Sequence, residues 1–183
     1  MYNIKTKFVI GLVLLLGGAA VASVASARAG GVDQPPDLPS PLCDSLQAPP
    51  GNQVTFHVYA SGVQVYRWNG ASWDFVAPVA TLSADANHTS EVGIHYAGPT
   101  WESNSGSKVV ARRLAACSPD PTAIPWLLLQ TVTATGPGIF SSVTYVQRVN
   151  TTGGLAPTVP GSSIGAVQEV PYSAEYYFYS GED

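Results

Sequence analysis

Apolar and polar residues alternate with a period of two over several segments of the chain, beginning at residue 53. In 53–59, sequence QVTFHVY, two valines and a phenylalanine fall on one face, while threonine, histidine and tyrosine fall on the other. Segments 90–96 and 170–179 alternate in the same way, and this periodicity predicts β-strands with one face in a core. At 90–96 the pattern assigns Ile94 to the core face and His95 to the opposite face.

Turn signals separate these segments from further short apolar runs. The pair Asn69-Gly70 stands between VQVYRW and ASWDFV, which predicts a hairpin with a two-residue loop that places Tyr66 opposite Trp73. The small residues at 60–62 predict another turn. Further strands are predicted at 108–114, 124–129 and 142–149, and 80–84 is predicted to form a short strand or a turn. No amphipathic helical pattern occurs, so we predict an all-β fold, a single antiparallel sandwich or partly closed barrel of about 8–10 short strands.

The ends of the chain differ in composition from the strand region. Residues 1–29 combine early lysines, an apolar run and small residues near the end, which is typical of an export signal. Residues 30–51 are rich in proline and are predicted to form an extended lead-in. We therefore divide the chain into a signal peptide at 1–29, this lead-in, a single β domain at 52–180 and a tail at 181–183. We expect secretion to an extracellular or periplasmic location, without stable membrane insertion after signal cleavage.

Charge and motif content disfavour several classes of function. Once the two lysines of the signal are removed, six Lys or Arg remain against twelve Asp or Glu, which argues against a nucleic-acid partner. The chain has no dinucleotide fingerprint, P-loop or HExxH motif, and no cofactor is predicted. A GxSxG match at 161–165 follows prolines rather than a strand and precedes no helix, so it does not predict a nucleophile elbow.

The chain has two cysteines, Cys43 in the lead-in and Cys117 after the central strands. In an exported protein such a pair is expected to oxidise. A disulfide that closes a loop of about 73 residues would stabilise the fold by roughly 4 kcal/mol, because it lowers the chain entropy of the unfolded state. The alternative is two unrelated thiols, one of them buried. We predict the disulfide Cys43–Cys117.

Tryptophan side chains are the first candidates for ligand binding. Trp68, Trp73 and Trp101 carry flat indole faces that can stack on sugar rings, and Glu102 follows Trp101 at the start of a polar loop. This pattern predicts non-catalytic binding of a surface ligand such as a glycan or a cell-surface polymer. The alternative is that the tryptophans only pack a core, in which case the protein is a structural envelope protein.

Histidines and carboxylates are the second set of candidates. His95 and Glu102 flank the turn at 98–99 and could act as acid/base groups of a small secreted hydrolase. His57, His95 and Glu91 are candidate metal ligands, because both histidines are assigned to non-core faces and Glu91 shares a face with His95. No spacing requires a metal, and each histidine is explained equally well as a hydrogen-bonded sheet residue. Binding without catalysis is therefore favoured over hydrolysis.

Several motifs together resemble the exported proteins grouped as domain of unknown function 3455. They include HYAGPTWE at 95–102, YVQRVNTTGGLAP at 145–157 and VPYSAEYYFY at 170–179. The resemblance covers about residues 50–180 and implies secretion and a single β domain, but no activity and no site. Some fungal relatives carry a malate dehydrogenase label. We reject this label here, because the chain lacks a dinucleotide fingerprint and is too short for a Rossmann domain plus a substrate domain.

Overall fold

The computed structural model describes residues 34–181, in which eight β-strands form one closed antiparallel barrel. The strands are β1 (Asn52–Trp68), β2 (Trp73–Ser83), β3 (Glu91–Tyr96), β4 (Thr100–Ser103), β5 (Lys108–Cys117), β6 (Trp126–Thr135), β7 (Val143–Gly153) and β8 (Val167–Gly181). Each strand pairs with the next along the chain, and β8 pairs with β1. The all-β prediction is confirmed, and the barrel, fully closed, is the architecture that the chain adopts.

The first strand, β1, is continuous over 17 residues, which corrects the turn predicted at 60–62. The backbone at Gly62 passes so close to β2 that a Cβ atom there would lie 2.1 Å from the carbonyl oxygen of Val79. Glycine inside a strand marks such close approaches and allows sharp bending. The small residues therefore let β1 curve around the barrel without ending it.

The β1–β2 hairpin is confirmed, but its loop spans 69–72 instead of two residues. The predicted pairing of Tyr66 with Trp73 is wrong, because Trp68 pairs with Trp73. The Asn69 side-chain oxygen accepts hydrogen bonds from two backbone N–H groups of the loop, each 2.9 Å long. This local bonding is an Asx-type turn, which stabilises the longer connection.

The two faces of β3 are the reverse of those predicted from its alternation. Ile94 is 45% exposed, whereas His95 is 3% exposed and belongs to the inner face. A Cβ atom on Gly93 would lie 2.3 Å from the carbonyl oxygen of Glu102, so glycine is required where β4 approaches β3. Because the barrel interior contains polar and aromatic side chains, hydrophobicity alone selects the wrong face of this strand.

Phenylalanine side chains close the end of the barrel near the start of β1. The connection between β6 and β7 carries Phe140 into the interior, where it is 1% exposed. Its ring centroid lies 5.3 Å from that of Phe56 and 5.0 Å from that of Phe178, and the latter two rings stack at 4.4 Å. Such aromatic pairs contribute about 0.5–1.5 kcal/mol beyond area burial. We call these three residues the phenylalanine plug.

The lead-in packs against the outer wall of the barrel. Leu46, in a 3₁₀ turn at Asp44–Leu46, is fully buried in a second apolar cluster outside the barrel. The strand residues of this cluster include Trp126, Leu128 and Val149. The Leu46 carbonyl accepts a 2.6 Å hydrogen bond from Gln147 Nε2. The predicted disulfide Cys43–Cys117 is confirmed, with Cα atoms 5.5 Å apart, and it ties the lead-in to the end of β5.

The predicted signal peptide at 1–29 lies outside the described residues. Within the part of the chain that the structure describes, no helix is long and apolar enough to span a membrane. The disulfide is compatible with an extracellular location, because such bonds persist in oxidising compartments.

Candidate functional site

A cavity of about 420 Å³ occupies the end of the barrel opposite the phenylalanine plug. The end of β1, the start of β2, the β3–β4 turn at 97–99 and the connection between β5 and β6 frame it. Pockets for small ligands have volumes of roughly 300–1,000 Å³. A barrel of about eight strands is just wide enough for side chains to fill its interior or for one small ligand to fit. The protein therefore has one filled end and one end with room for a small molecule.

Three aromatic side chains form the floor of the cavity. The rings of His95 and Trp101 stack with centroids 4.4 Å apart, and the Tyr176 ring meets them edge-on at 5.1 and 5.3 Å. His95 and Trp101 are cross-strand partners on β3 and β4, which places their rings side by side. Trp101 also lies 6.0 Å from Phe178 of the plug. The floor thus joins the cavity to the filled end of the barrel.

His95 is held as a neutral side chain. Its Nδ1 lies 2.8 Å from the Thr100 carbonyl oxygen, and since a carbonyl only accepts, Nδ1 carries the proton and Nε2 is an acceptor. Burial lowers the pKa of His95 to about 3, with a smaller lowering from the positive charge of Arg148, against the opposing effect of the Thr100 hydrogen bond. A base with so low a pKa is a poor proton acceptor at neutral pH. His95 is therefore poorly suited to act as a catalytic base, and its ring contributes to the floor of the cavity.

The buried neutral state of His95 makes the stability of the protein depend on pH. Below its unfolded pKa of about 6.5, His95 takes up a proton in the unfolded state but not in the folded state. Its contribution to stability is present above pH 6.5 and is lost progressively as the pH falls towards 3. Between pH 6.5 and 4.5 we expect a loss of about 2 kcal/mol from this group.

Urea unfolding of the wild type and of His95→Gln at pH 7 and pH 4.5 measures this loss. The variant is expected to be less stable at pH 7 but to lose about 2 kcal/mol less than the wild type on acidification. His88→Asn is the matched control, because His88 is exposed and has a φ of 57° that asparagine tolerates. Equal pH dependence in the wild type and His95→Gln would show that His95 is not neutral in the folded state.

Polar groups on the cavity wall are incompletely satisfied by the protein itself. The Tyr66 hydroxyl donates a 2.6 Å hydrogen bond to the Gly154 carbonyl. In contrast, Gln64 Nε2, Trp101 Nε1 and the Tyr176 hydroxyl are buried without a partner in hydrogen-bond geometry. The Tyr172 hydroxyl lies beside both Gln64 and Tyr176. Burial raises the pKa of Tyr176, so its hydroxyl remains a donor at neutral pH. Each such orphaned group costs about 1–3 kcal/mol, and all three belong to residues that line this one cavity.

Two arginine side chains give the cavity a positive charge. Arg148 on β7 is half-buried, and its Nε and Nη2 atoms donate to the Pro125 carbonyl at 3.1 and 2.7 Å. Its guanidinium lies beside the Tyr176 hydroxyl, without hydrogen-bond geometry between them. Arg113 on β5 is exposed at the mouth. Neither arginine forms an ion pair within residues 34–181, and no Asp or Glu of that range lines the cavity.

The structure places the candidate pair His95 and Glu102 on opposite faces of the barrel wall. His95 faces inward, whereas Glu102 lies on the outside, opposite Ile94 in the β3–β4 register. Glu102 accepts a 2.6 Å hydrogen bond from the Tyr96 hydroxyl and pairs with Lys108 at 3.0 Å. These contacts lower the pKa of Glu102, the Tyr96 hydrogen bond most of all. The two side chains do not share one mouth and cannot act on one substrate atom.

The candidate metal ligands are likewise separated. His57 lies outside the barrel, where its Nε2 is 2.9 Å from Glu175 Oε2 and its ring stacks on Tyr177 at 4.1 Å. His95 lies inside, and Glu91 is exposed at the start of β3. Among residues 34–181, no group of three or more His, Cys, Asp or Glu side chains is arranged to hold a metal ion.

The candidate tryptophans fall into two places. Trp68 and Trp73 form a half-buried pair outside the cavity, with ring centroids 5.4 Å apart. The connection between β7 and β8 covers this pair, since Trp73 Nε1 donates to the Val159 carbonyl at 2.9 Å and Gly161 rests on the Trp68 ring. Trp101 is 1% exposed and belongs to the cavity floor. The three indoles therefore form no common surface, and glycan stacking on Trp68 and Trp73 stays a prediction.

Sequence reasoning missed the residues that give the cavity its polarity. They are Gln64, Tyr66, Arg113, Arg148 and Tyr176. Strict alternation in SVTYVQRV assigns Arg148 to the face of Thr144, opposite Val143, Tyr145 and Val149, so no signal in the sequence marks it as inward-facing. Gln64 gives a weak signal, because it shares a face with Tyr66 and Trp68 in VQVYRW. A polar residue at a position of the core face indicates either a turn or a polar interior.

A family model described as "Protein of unknown function (DUF3455)" matches residues 49–180. The chain belongs to this family. In this DUF3455 protein, the matched segment contains every residue that lines the cavity, together with all eight strands except the last residue of β8. No curated protein and no solved structure matches the chain significantly. The geometry of the cavity is therefore what carries a functional conclusion.

Proposed function

We propose that the protein is an exported, non-catalytic binding module that holds a small molecule in the open end of its barrel. The observation that carries the proposal is the cavity of about 420 Å³, whose lining includes three buried polar groups without partners. Folded proteins pair nearly all such groups, and a bound ligand would supply the missing partners. The confirmed disulfide supports export, since an oxidising compartment preserves it.

Binding rather than catalysis is supported by the chemistry of the cavity. Its one histidine, His95, has a pKa of about 3 and is a poor base at neutral pH. Its tyrosine Tyr176 has a raised pKa and is a poor acid. The lining residues supply donors and apolar contacts, which orient a ligand without moving a proton.

Ala97→Trp is expected to abolish small-molecule binding. Ala97 lies in the β3–β4 turn at the mouth and is exposed, so an indole there can cover the opening without disturbing the core. In a thermal-shift and calorimetry screen of small molecules, oligosaccharides and cell-surface polymers, we expect small-molecule ligands of the wild type to bind the variant at least about tenfold more weakly.

Ala86→Trp is the matched control. Ala86 is an exposed alanine in the β2–β3 connection, at the plugged end of the barrel. It should bind every ligand as the wild type does. A wild type that binds nothing in the screen, or a folded Ala97→Trp that keeps every ligand, contradicts the cavity proposal. Binding confined to glycans and unaffected by Ala97→Trp would favour the outer Trp68–Trp73 pair instead.

A further inference from the structure

The cavity selects for charge as well as for size. We propose that its ligand is a small organic monocarboxylate with an apolar body, bound through Arg148 and guided in by Arg113. This inference rests on the proposed function, because it names the ligand class of the same cavity. Four features of the lining carry it: the unused edge of one guanidinium, the sign of the charge, the unpaired hydrogen-bond donors, and the apolar wall.

Arg148 presents one edge of its guanidinium for a carboxylate. The Nε–H and one Nη2–H group, which share an edge, both bind the Pro125 carbonyl. This contact fixes the plane of the guanidinium and leaves the edge formed by Nη1 and the second Nη2–H group without a protein partner in hydrogen-bond geometry, although the Tyr176 hydroxyl lies beside the guanidinium. Two parallel N–H donors on one edge match the two oxygens of a carboxylate. The preformed orientation removes part of the entropy cost of binding.

The charge balance of the cavity is unusual for this chain. The protein carries a formal net charge of −4, yet two of its eight Lys and Arg side chains line this cavity. No carboxylate of residues 34–181 compensates them there. Partial burial of a cation without a counter-ion is costly, and an anionic ligand would remove that cost at Arg148. The exposed Arg113 lies at the mouth, where a charge raises the local concentration of anions.

The other hydrogen-bonding groups of the cavity lining match the same ligand. Gln64 Nε2 and Trp101 Nε1 are donors without partners, and the protonated Tyr176 hydroxyl lies beside the guanidinium. A surplus of donors calls for a ligand rich in acceptors. Because Arg148 is the single arginine inside the cavity and Arg113 is exposed at its mouth, one negative charge is matched better than two.

The rest of the wall is apolar and specifies the body of the ligand. Phe75, Pro78, Leu127 and Leu129 line the cavity together with the aromatic floor. Burying apolar surface of a ligand is favourable by roughly 25 cal/mol per Å². A sugar ring bearing hydroxyls would leave its polar groups against these side chains unpaired, whereas an aliphatic or aromatic body would not.

Matched pairs of compounds test the charge. Isothermal titration at pH 7.5 compares 2-naphthoate with 2-naphthamide and decanoate with decanamide, which separates an aromatic body from an aliphatic one. We expect the wild type to bind at least one carboxylate about tenfold or more tightly than its neutral amide. Arg148→Gln should reduce this preference to within about twofold, and Arg113→Gln should weaken it in part.

Arg112→Gln is the control, because Arg112 neighbours Arg113 in sequence but bonds Gln130 and does not line the cavity. It should keep the full preference for the carboxylate.

If Arg148→Gln does not fold, two other measurements test the inference. They are the weaker preference of Arg113→Gln for the carboxylate and a lower preference of the wild type for the carboxylate at high salt. Equal binding of carboxylate and amide, lost in Ala97→Trp, overturns the carboxylate inference but leaves the cavity function standing. No binding of any of the four compounds to the wild type overturns the carboxylate inference, and the broader screen with Ala97→Trp then decides the cavity function by itself.

Discussion

Replacing Trp101 by alanine is expected to destabilise the protein by about 3 to 5 kcal/mol. The side chain is 1% exposed and lies between the phenylalanine plug and the cavity. Its removal deletes the stacking contact with His95 at 4.4 Å and the edge contacts with Tyr176 and Phe178. The void would join the existing cavity, so the surrounding wall could not collapse to fill it.

Urea unfolding at pH 7 measures this loss, and two further variants interpret it. Trp73→Ala removes an indole of the same size from a half-buried site and should cost about 1 kcal/mol. Trp101→Phe keeps an aromatic ring and deletes the Nε1–H donor that lacks a partner, so it should cost less than Trp101→Ala. Similar losses for Trp101→Ala and Trp73→Ala would show that Trp101 is not a floor residue.

Removing the disulfide in Cys43→Ser/Cys117→Ser is expected to cost about 4 kcal/mol, within the usual range of about 2–5. The bond links residues separated by 74 positions, so it greatly restricts the unfolded chain. It also holds Cys43 and Leu46, both fully buried, against the outer wall. The packing of the lead-in therefore depends on the bond, and loss of docking adds to the entropic effect.

Unfolding of the wild type with and without a reducing agent measures the same quantity independently. The reduced wild type should unfold at a lower urea concentration, close to that of the double variant. The double variant itself should not respond to the reducing agent, which controls for effects of the reagent. A reduced wild type with an unchanged midpoint would show that the bond contributes nothing to equilibrium stability.

The strands with one apolar face could be predicted from the sequence, and the closed order of the strands could not. Alternation located β8 and the start of β1, and the Asn69-Gly70 signal located the first hairpin. The four-residue β4 was missed, because the Gly98-Pro99 turn and the polar loop after it leave too short a run to show a period. Closure depends on register and on close approaches such as that at Gly62, which involve residues distant in sequence.

The site was predicted only in part, for a physical reason. Trp101 and His95 were selected from the sequence, and both form the cavity floor. Their partners were not, because an inward-facing Arg148 or Gln64 looks like a surface residue when the interior is assumed to be apolar. Conversely, Glu102 follows Trp101, the cross-strand partner of His95. Successive residues of a strand face opposite sides of the wall, so Glu102 lies outside although its neighbour Trp101 lies inside with His95.

The lead-in covers one seam of the barrel wall, the ladder between β6 and β7. The ladder between β6 and β7 pairs only Leu127 to Gln130 with their partners, whereas β1 and β8 pair from Asn52 to Arg67. The buried turn ending at Leu46 lies over this short ladder from outside. Undocking of the lead-in uncovers this ladder, on which Arg148 is paired with Leu127. Reduction of the disulfide should therefore raise hydrogen exchange along β6 and β7 before it does so along the much longer β1–β8 ladder.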